Sequence, residues 1–153
     1  MYTKKFFVIF ILLLVTVAGN TKSGKGAIGI IAGDPTGVSG RIALSESSSL
    51  NLALGYSFLP AYESFAMHAD YVTEFNTNRI EGLNFPFYLG YGMRIRNTSK
   101  NEFSLGARGV AGILIRPNNL PVEFFLELAP VFEIFPATKL KLDAGLGVRY
   151  QLE

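Results

Sequence analysis

The chain has 153 residues, a formal net charge of +2 and no cysteine. This length suits one domain, and the lack of cysteine excludes a disulfide framework and thiolate chemistry. Charged residues make up only 17% of the chain, whereas aromatic residues make up 13% and glycine occurs 16 times. This composition favours β-sheet over a soluble helical domain.

The first nineteen residues are typical of a secretory signal peptide. Lys4 and Lys5 precede the apolar run FFVIFILLLVTVA, and small residues follow it. The run is shorter than the roughly 20 residues that a membrane-spanning helix needs, so we predict cleavage after Ala18 or Gly19. Loss of the two lysines takes the formal charge from +2 to zero. No basic excess then remains to indicate nucleic-acid binding.

Turn residues divide the rest of the chain into eight predicted strands. The turns are the Gly, Pro, Asn and Ser clusters GDPTG, SESSS, LPAYES, NTNRIEG, NTSKN, RPNNLP and PATK. In GDPTG, both glycines are expected to adopt the positive φ that a reversal needs. Strands joined by short turns form an antiparallel meander, and eight of them can close into a barrel. The predicted strands are residues 27–32, 38–44, 50–58, 65–75, 83–96, 102–115, 122–135 and 140–152.

Apolar residues alternate with polar or small residues along most of these segments. The last strand shows the pattern clearly, because every second residue from Leu140 to Leu152 is apolar. Alternation places the apolar side chains on one face of the sheet. By itself it is compatible with a soluble lipocalin-like barrel, whose apolar face points inward, and with a membrane barrel, whose apolar face points into lipid.

Three features favour the outward arrangement. The other face is rich in glycine, which suits the crowded interior of a small barrel and would only weaken a solvent-exposed strand. Five of the six cations assigned to that face are arginine, which forms bidentate pairs away from bulk water. The apolar face carries aromatic residues near the strand ends, as in the girdles of membrane barrels: Tyr56, Phe58, Phe65, Phe75, Phe85, Phe103, Phe124, Phe132 and Tyr150.

We predict that charged side chains on the inner face form a network that plugs the lumen. The interior of an eight-stranded barrel is just wide enough for side chains to fill it, and an unpaired charge there would be strongly destabilising. We expect Glu123 and Glu127 to pair with Arg94, Arg96 and Arg108. The predicted network is Arg41, Asp70, Glu74, Arg94, Arg96, Arg108, Glu123, Glu127, Glu133, Lys141, Asp143 and Arg149.

The remaining motifs do not predict chemistry. GKGAIG at residues 24–29 has the G-x-G-x-x-G spacing but lacks the preceding strand and following helix of a dinucleotide site. His68 is the only histidine, and we expect it to be a hydrogen-bonded interior residue. One histidine does not make a metal site, and no nucleophile elbow accompanies it. We therefore predict no catalytic residue, no cofactor and no metal.

The segments GDPTGVSGR, MHADY and PFYLGYGMRIR, and the stretch from LELAPVFEI to GLGVRY, resemble the OmpA-like eight-stranded outer-membrane barrels and, more narrowly, a family of small exported barrels. The resemblance covers nearly the whole chain after the signal peptide. It implies an all-β, eight-stranded antiparallel up-and-down transmembrane barrel with an apolar face to lipid and a charged lumen. It also implies an outer-membrane location, with outer-membrane lipid and the insertion machinery as partners.

The predicted organisation is a signal peptide at residues 1–19, a short segment at 20–26 and the barrel domain at 27–153. The leading functional hypothesis is a structural or interaction role in the cell envelope. One alternative is a soluble periplasmic barrel that binds a hydrophobic ligand, which would need an apolar cavity. Another is a lipid-modifying outer-membrane enzyme, which would need an activated nucleophile. No motif identifies a surface ligand.

Overall fold

The computed structural model describes residues 25–57, 64–98 and 102–152, except for the side chains of residues 76–79. The predicted signal peptide and Phe58 lie outside the described residues. No helix in the described ranges is long and apolar enough to span a membrane. The strands are β1 (Gly26–Gly33), β2 (Thr36–Ala43), β3 (Ser48–Ser57), β4 (Ser64–Ile80), β5 (Leu83–Thr98), β6 (Phe103–Pro117), β7 (Val122–Phe135) and β8 (Lys139–Leu152).

Each strand pairs antiparallel with its neighbours in sequence, and β1 also pairs with β8. This last pairing closes the sheet, so every strand has two partners and the barrel has no free edge. The predicted fold, an eight-stranded antiparallel up-and-down barrel, is confirmed. The predicted bounds of most strands agree with the observed ones to within two or three residues.

Side chains alternate between the inside and the outside of the barrel. On β7, Glu123, Phe125 and Glu127 are buried, whereas Leu126 and Leu128 are more than half exposed on the outer surface. The same division on β4, β5, β6 and β8 leaves most of their large apolar side chains outside, with Val72, Tyr88, Val110 and Leu114 as inward exceptions. The apolar face therefore points outward, as predicted. Two residues with the outward register on β2 and β3 are buried instead, Ile42 and Leu54.

Inward-facing glycines make room for large side chains in the narrow lumen. A Cβ atom added at Gly112 would collide with the ring of Tyr88 on the neighbouring strand. A Cβ at Gly147 would lie 2.5 Å from Cζ of Phe125, closer than real Cβ contacts allow. The glycines of the polar face thus receive the bulky side chains of adjacent strands, which is the role that the sequence predicts for them.

Several connections are shorter than predicted, most of all the one between β4 and β5. The segment NTNRIEG continues β4 as far as Ile80, so the turn to β5 contains only Glu81 and Gly82, with Gly82 at a φ of +80°. The pairing of β4 with β5 shifts register between Phe75 and Asn78, where a bulge interrupts the ladder. Polar residues typical of turns are tolerated in this strand because pairing with β5 satisfies their backbone groups.

The β1–β2 turn is also tighter than predicted, since only Asp34 and Pro35 lie between the strands. Gly33 has a φ of +142°, which favours glycine, but Gly37 belongs to β2 and has no positive φ. A Cβ at Gly37 would collide with the carbonyl oxygen of Leu54 on β3. Gly37 is therefore needed for close backbone approach, and the expectation of a positive φ there is wrong.

Candidate functional site

The lumen is the candidate functional site because it holds most of the buried charge of the described residues. All twelve charged residues of the predicted network occupy inward positions of the strands. The structure divides them between two networks at different heights, and adds Arg116 and Asp34. We name the end at which β1 begins and β8 ends the vestibule end, and the end with the Asp34–Pro35 turn the far end.

The vestibule network is centred on two glutamates. Glu123 Oε2 accepts hydrogen bonds from Arg41 Nη1 at 2.6 Å and Arg116 Nε at 3.1 Å, and Oε1 accepts one from Arg149 Nη1 at 3.2 Å. Glu74 forms a bidentate pair with Arg116, at 2.8 and 3.0 Å, and a second ion pair with Arg41. Three guanidinium groups thus face two carboxylates, which leaves this network with a formal charge of +1.

Arg108 is the centre of the far-end network. Its Nε donates to Asp70 Oδ2 at 2.9 Å, its Nη1 to Asp143 Oδ2 at 3.1 Å and its Nη2 to Glu127 Oε1 at 2.7 Å. One guanidinium group on β6 thereby joins carboxylates from β4, β7 and β8. The Arg108 side chain is almost fully buried, so these three carboxylates supply the hydrogen bonds that water would otherwise provide.

Arg94 and Arg96 on β5 extend this network towards the far end. Arg94 donates to Asp143 Oδ1 at 2.5 Å and to Glu133 Oε1 at 2.8 Å. Arg96 donates to both carboxylate oxygens of Asp34 at 2.8 Å. With four cations and five carboxylates, the network has a formal charge of −1. Its members are Asp34, Asp70, Arg94, Arg96, Arg108, Glu127, Glu133, Lys141 and Asp143.

An apolar layer separates the two networks. On β7, Phe125 lies between Glu127 of the far-end network and Glu123 of the vestibule network, and on β4 Val72 occupies the corresponding place. No hydrogen bond or ion pair between described residues joins the two networks. The apolar layer consists of Ile31, Ala53, Val72, Tyr88, Val110, Leu114 and Phe125.

Two amphipathic side chains mark the borders of the apolar layer. The Tyr88 ring packs within the layer, and its hydroxyl donates to Glu127 Oε2 at 2.8 Å. On the vestibule side, the Arg149 guanidinium carbon lies 3.9 Å from the ring centroid of Phe125, and Arg149 Nε donates to Ser39 Oγ at 2.9 Å. The Tyr88 hydroxyl therefore points out of the layer towards the far-end network, whereas the Arg149 guanidinium stacks on the layer from the vestibule side.

A cavity of about 1140 Å³ lies at the vestibule end. Arg41, Glu74 and Arg116 line its floor, and Lys25 and Glu46 belong to its lining nearer the rim. Charged side chains thus form its floor, whereas a carrier of hydrophobic ligands needs a cavity with an apolar interior.

His68 faces the lumen beside the far-end network. Its Nδ1 lies 3.0 Å from Asp70 Oδ2, but neither ring nitrogen makes a hydrogen bond of suitable geometry with a described residue, so the expected hydrogen bond is not formed. His68, Asp70 and Glu127 have potential metal-ligating atoms within 4.8 Å of one another. The Arg108 guanidinium already bonds to both carboxylates and supplies the positive charge that a metal ion would bring.

The expected partners of Glu123 and Glu127 are partly wrong. Glu127 does pair with Arg108, but Glu123 pairs with cations of the vestibule network and with none of the three arginines expected. Arg116 was missed because RPNNLP was assigned to a turn, whereas β6 continues to Pro117 and keeps Arg116 in the inward register. Asp34 lies in a turn, where alternation gives no signal.

Comparison with known proteins supports the fold. No protein-family model matches the chain, and no curated protein matches it significantly. The structure is similar to the crystal structure of the N-terminal β-barrel domain of Pseudomonas aeruginosa OprF, with a TM-score of 0.61 and 16% sequence identity. The match covers 84% of this chain and 97% of that chain. This likeness confirms the OmpA-like barrel fold that the sequence predicts.

Proposed function

We propose that the protein is a small integral outer-membrane barrel with a structural or interaction role in the cell envelope. In this proposal it is exported through the signal peptide at residues 1–19. Its partners are outer-membrane lipid and the machinery that inserts barrels into the outer membrane. The likeness to the OprF barrel domain supports the proposal at the level of fold.

The observation that carries the proposal is an apolar outer surface between two levels of aromatic residues. Near the far end, the rings of Tyr56 and Phe65 lie 6.3 Å apart, and nearer the vestibule end those of Phe75 and Phe87 are also 6.3 Å apart. Phe65 and Phe75 are ten residues apart on β4. At about 3.3 Å per residue and a tilt near 40°, this separation is about 25 Å along the barrel axis, which matches the apolar band of outer-membrane barrels.

The charged lumen has a structural role in this proposal. The inward charges hold the walls together through ion pairs such as Arg94–Asp143, which joins β5 to β8, and Arg41–Glu123, which joins β2 to β7. Because these side chains fill the interior, we propose a barrel with little or no steady conductance. No contact among the described residues favours the soluble-carrier or enzymatic alternatives.

Cell fractionation followed by gel electrophoresis with and without heating tests the proposal. We expect the protein in the outer-membrane fraction, extractable only with detergent, with a faster-migrating folded form before heating. Recovery in the soluble periplasmic fraction without detergent would contradict it.

A substitution on the outer face provides a second test. Leu126 is 56% exposed near the middle of β7. We expect Leu126→Arg to cost about 2–4 kcal/mol of folding stability in lipid vesicles, because a charge on the lipid face near the midplane is poorly solvated. Leu126→Ala is the matched control. Equal stability of the arginine and alanine variants in vesicles would show that this face does not meet lipid.

A further inference from the structure

Two tyrosines lie in the middle of the apolar outer surface. Tyr71 on β4 pairs with Tyr91 on β5, their ring centroids are 5.8 Å apart, and Tyr91 is 71% exposed. Tyr91 follows Phe87 by four residues and Tyr71 follows Phe65 by six, so the pair lies about 10 Å and about 15 Å from the two aromatic levels. Neither hydroxyl bonds to a described residue. Lipid headgroups do not reach this depth, so lipid leaves both hydroxyls without a partner.

A backbone carbonyl group beside Tyr91 also lacks its usual partner. Tyr91 pairs with Gly109 on β6, and the register places Pro130 on β7 opposite Gly109. The β6–β7 ladder is interrupted here, since pairing stops at Arg108 and resumes at Ala111. Proline has no N–H, so the Gly109 carbonyl oxygen lacks the donor that the ladder would otherwise supply. Hydrocarbon cannot replace that donor, and an unpaired backbone group is strongly unfavourable there.

This carbonyl group lies on the floor of a shallow depression in the outer surface. The outward positions of β6 at this level carry only small residues, Ala107, Gly109 and Ala111. Larger outward side chains border them, Tyr91 and Met93 on β5 and Leu128 and Phe132 on β7. We name this strip the β6 depression. An approaching group can therefore come close to the Gly109 backbone, with the Tyr91 hydroxyl at the edge.

We propose that the β6 depression binds a second copy of this chain, with the Tyr91 hydroxyl of each copy donating to the Gly109 carbonyl oxygen of the other. The patch holds a donor and an acceptor side by side, so it is complementary to itself in partial charge, as a two-fold interface requires. Paired residues of neighbouring strands lie at similar depth, so a two-fold axis along the membrane normal brings the two groups together. Small residues at such an interface let backbones approach closely.

This inference rests on the proposed function, because the unpaired hydroxyl and carbonyl groups need a protein partner only if this face meets hydrocarbon. Sedimentation equilibrium of the protein folded in detergent micelles tests it, after faster gel migration before heating has verified folding. We expect a reversible dimer. Failure to fold in detergent would contradict the proposed function itself, whereas a folded protein that stays monomeric at all protein-to-detergent ratios would overturn this inference alone.

Two variants test the proposed hydrogen bond. Tyr91→Phe removes the donor, and Pro130→Ala restores an N–H through which β7 can satisfy the Gly109 carbonyl within one copy. Each change removes two symmetric hydrogen bonds, so we expect either variant to raise the dimer dissociation constant about tenfold. Tyr150→Phe, at another exposed outward tyrosine, is the matched control and should leave the constant unchanged. An unchanged constant for Tyr91→Phe or for Pro130→Ala would overturn the proposed contact.

Disulfide formation locates the interface, because the chain contains no cysteine that would react in the background. Met93→Cys places a thiol at the edge of the β6 depression, and Ile30→Cys places one on β1, on the opposite side of the closed sheet. Both positions are more than half exposed. We expect copper-phenanthroline oxidation in micelles to link Met93→Cys into covalent dimers severalfold faster than Ile30→Cys. Equal rates, or faster linkage through Ile30→Cys, would overturn the assignment of the interface to this face.

Discussion

The vestibule and far-end networks are built from the same residue types but differ in their access to water. The Arg41 and Arg116 side chains in the vestibule are 13% and 21% exposed, whereas those of Arg94 and Arg108 in the far-end network are 1% exposed. Glu74 in the vestibule is 12% exposed and can be rehydrated when it loses a partner, whereas the three carboxylates around Arg108 are at most 3% exposed and cannot. The same kind of ion pair should therefore contribute very differently to stability at the two heights.

The largest difference should come from removing the centre of the far-end network. Arg108→Gln leaves three carboxylates without their shared cation, and we expect it to lower the free energy of unfolding by about 3–5 kcal/mol. Urea titration of the protein in vesicles, followed by the mobility shift on gels, measures this change. A loss below about 1 kcal/mol, the range of exposed ion pairs, would mean that the far-end network is hydrated.

Arg94 and Glu133 test whether far-end residues act as a unit. Their side chains are joined at 2.8 Å and are almost fully buried. We expect the double variant Arg94→Gln/Glu133→Gln to be about 1–3 kcal/mol more stable than the sum of the two single changes predicts, because each single change removes one of the partners of a buried charge. The same titration measures all three variants. Additive effects would show that the two residues are not coupled.

Tyr88 tests the border between the apolar layer and the far-end network. Tyr88→Phe keeps the ring in the layer and removes only the hydrogen bond to Glu127, which still accepts one from Arg108. We expect a loss of about 1–2 kcal/mol in the same titration. Tyr88→Leu is the control for packing, and it should cost more. If Tyr88→Phe leaves the free energy of unfolding unchanged, the hydrogen bond from the Tyr88 hydroxyl to Glu127 does not stabilise this border.

The smallest effect should come from the vestibule. Arg116→Gln removes a partly exposed guanidinium, and both Glu74 and Glu123 keep Arg41 as a partner. We expect a loss of about 1 kcal/mol or less, reduced further in high salt. Lys141→Gln, at a side chain that is 42% exposed, is the matched far-end control. If Arg116→Gln lowered the free energy of unfolding as much as Arg108→Gln, the two networks would not differ in their contribution to stability.

The chain's local pattern was enough to predict the number of strands, the closure into a barrel and the inward face of the twelve charged residues assigned to the lumen. This succeeds because a strand turns successive side chains to opposite faces, whatever its partners are. The prediction failed at strand ends, where residues typical of turns hide the alternation. Arg116 and the end of β4 were assigned to turns because Asn and Pro are common there, although pairing with β5 extends both strands.

The sequence by itself thus determined which side chains enter the lumen, but only the tertiary structure decided which of them meet. Partners such as Arg108 and Asp70 come from different strands, and their heights depend on the register of every pairing around the barrel. Alternation specifies a face and not a height. The division of a balanced set of charges into a +1 and a −1 network, with an apolar layer between them, therefore follows from the stagger of the closed sheet.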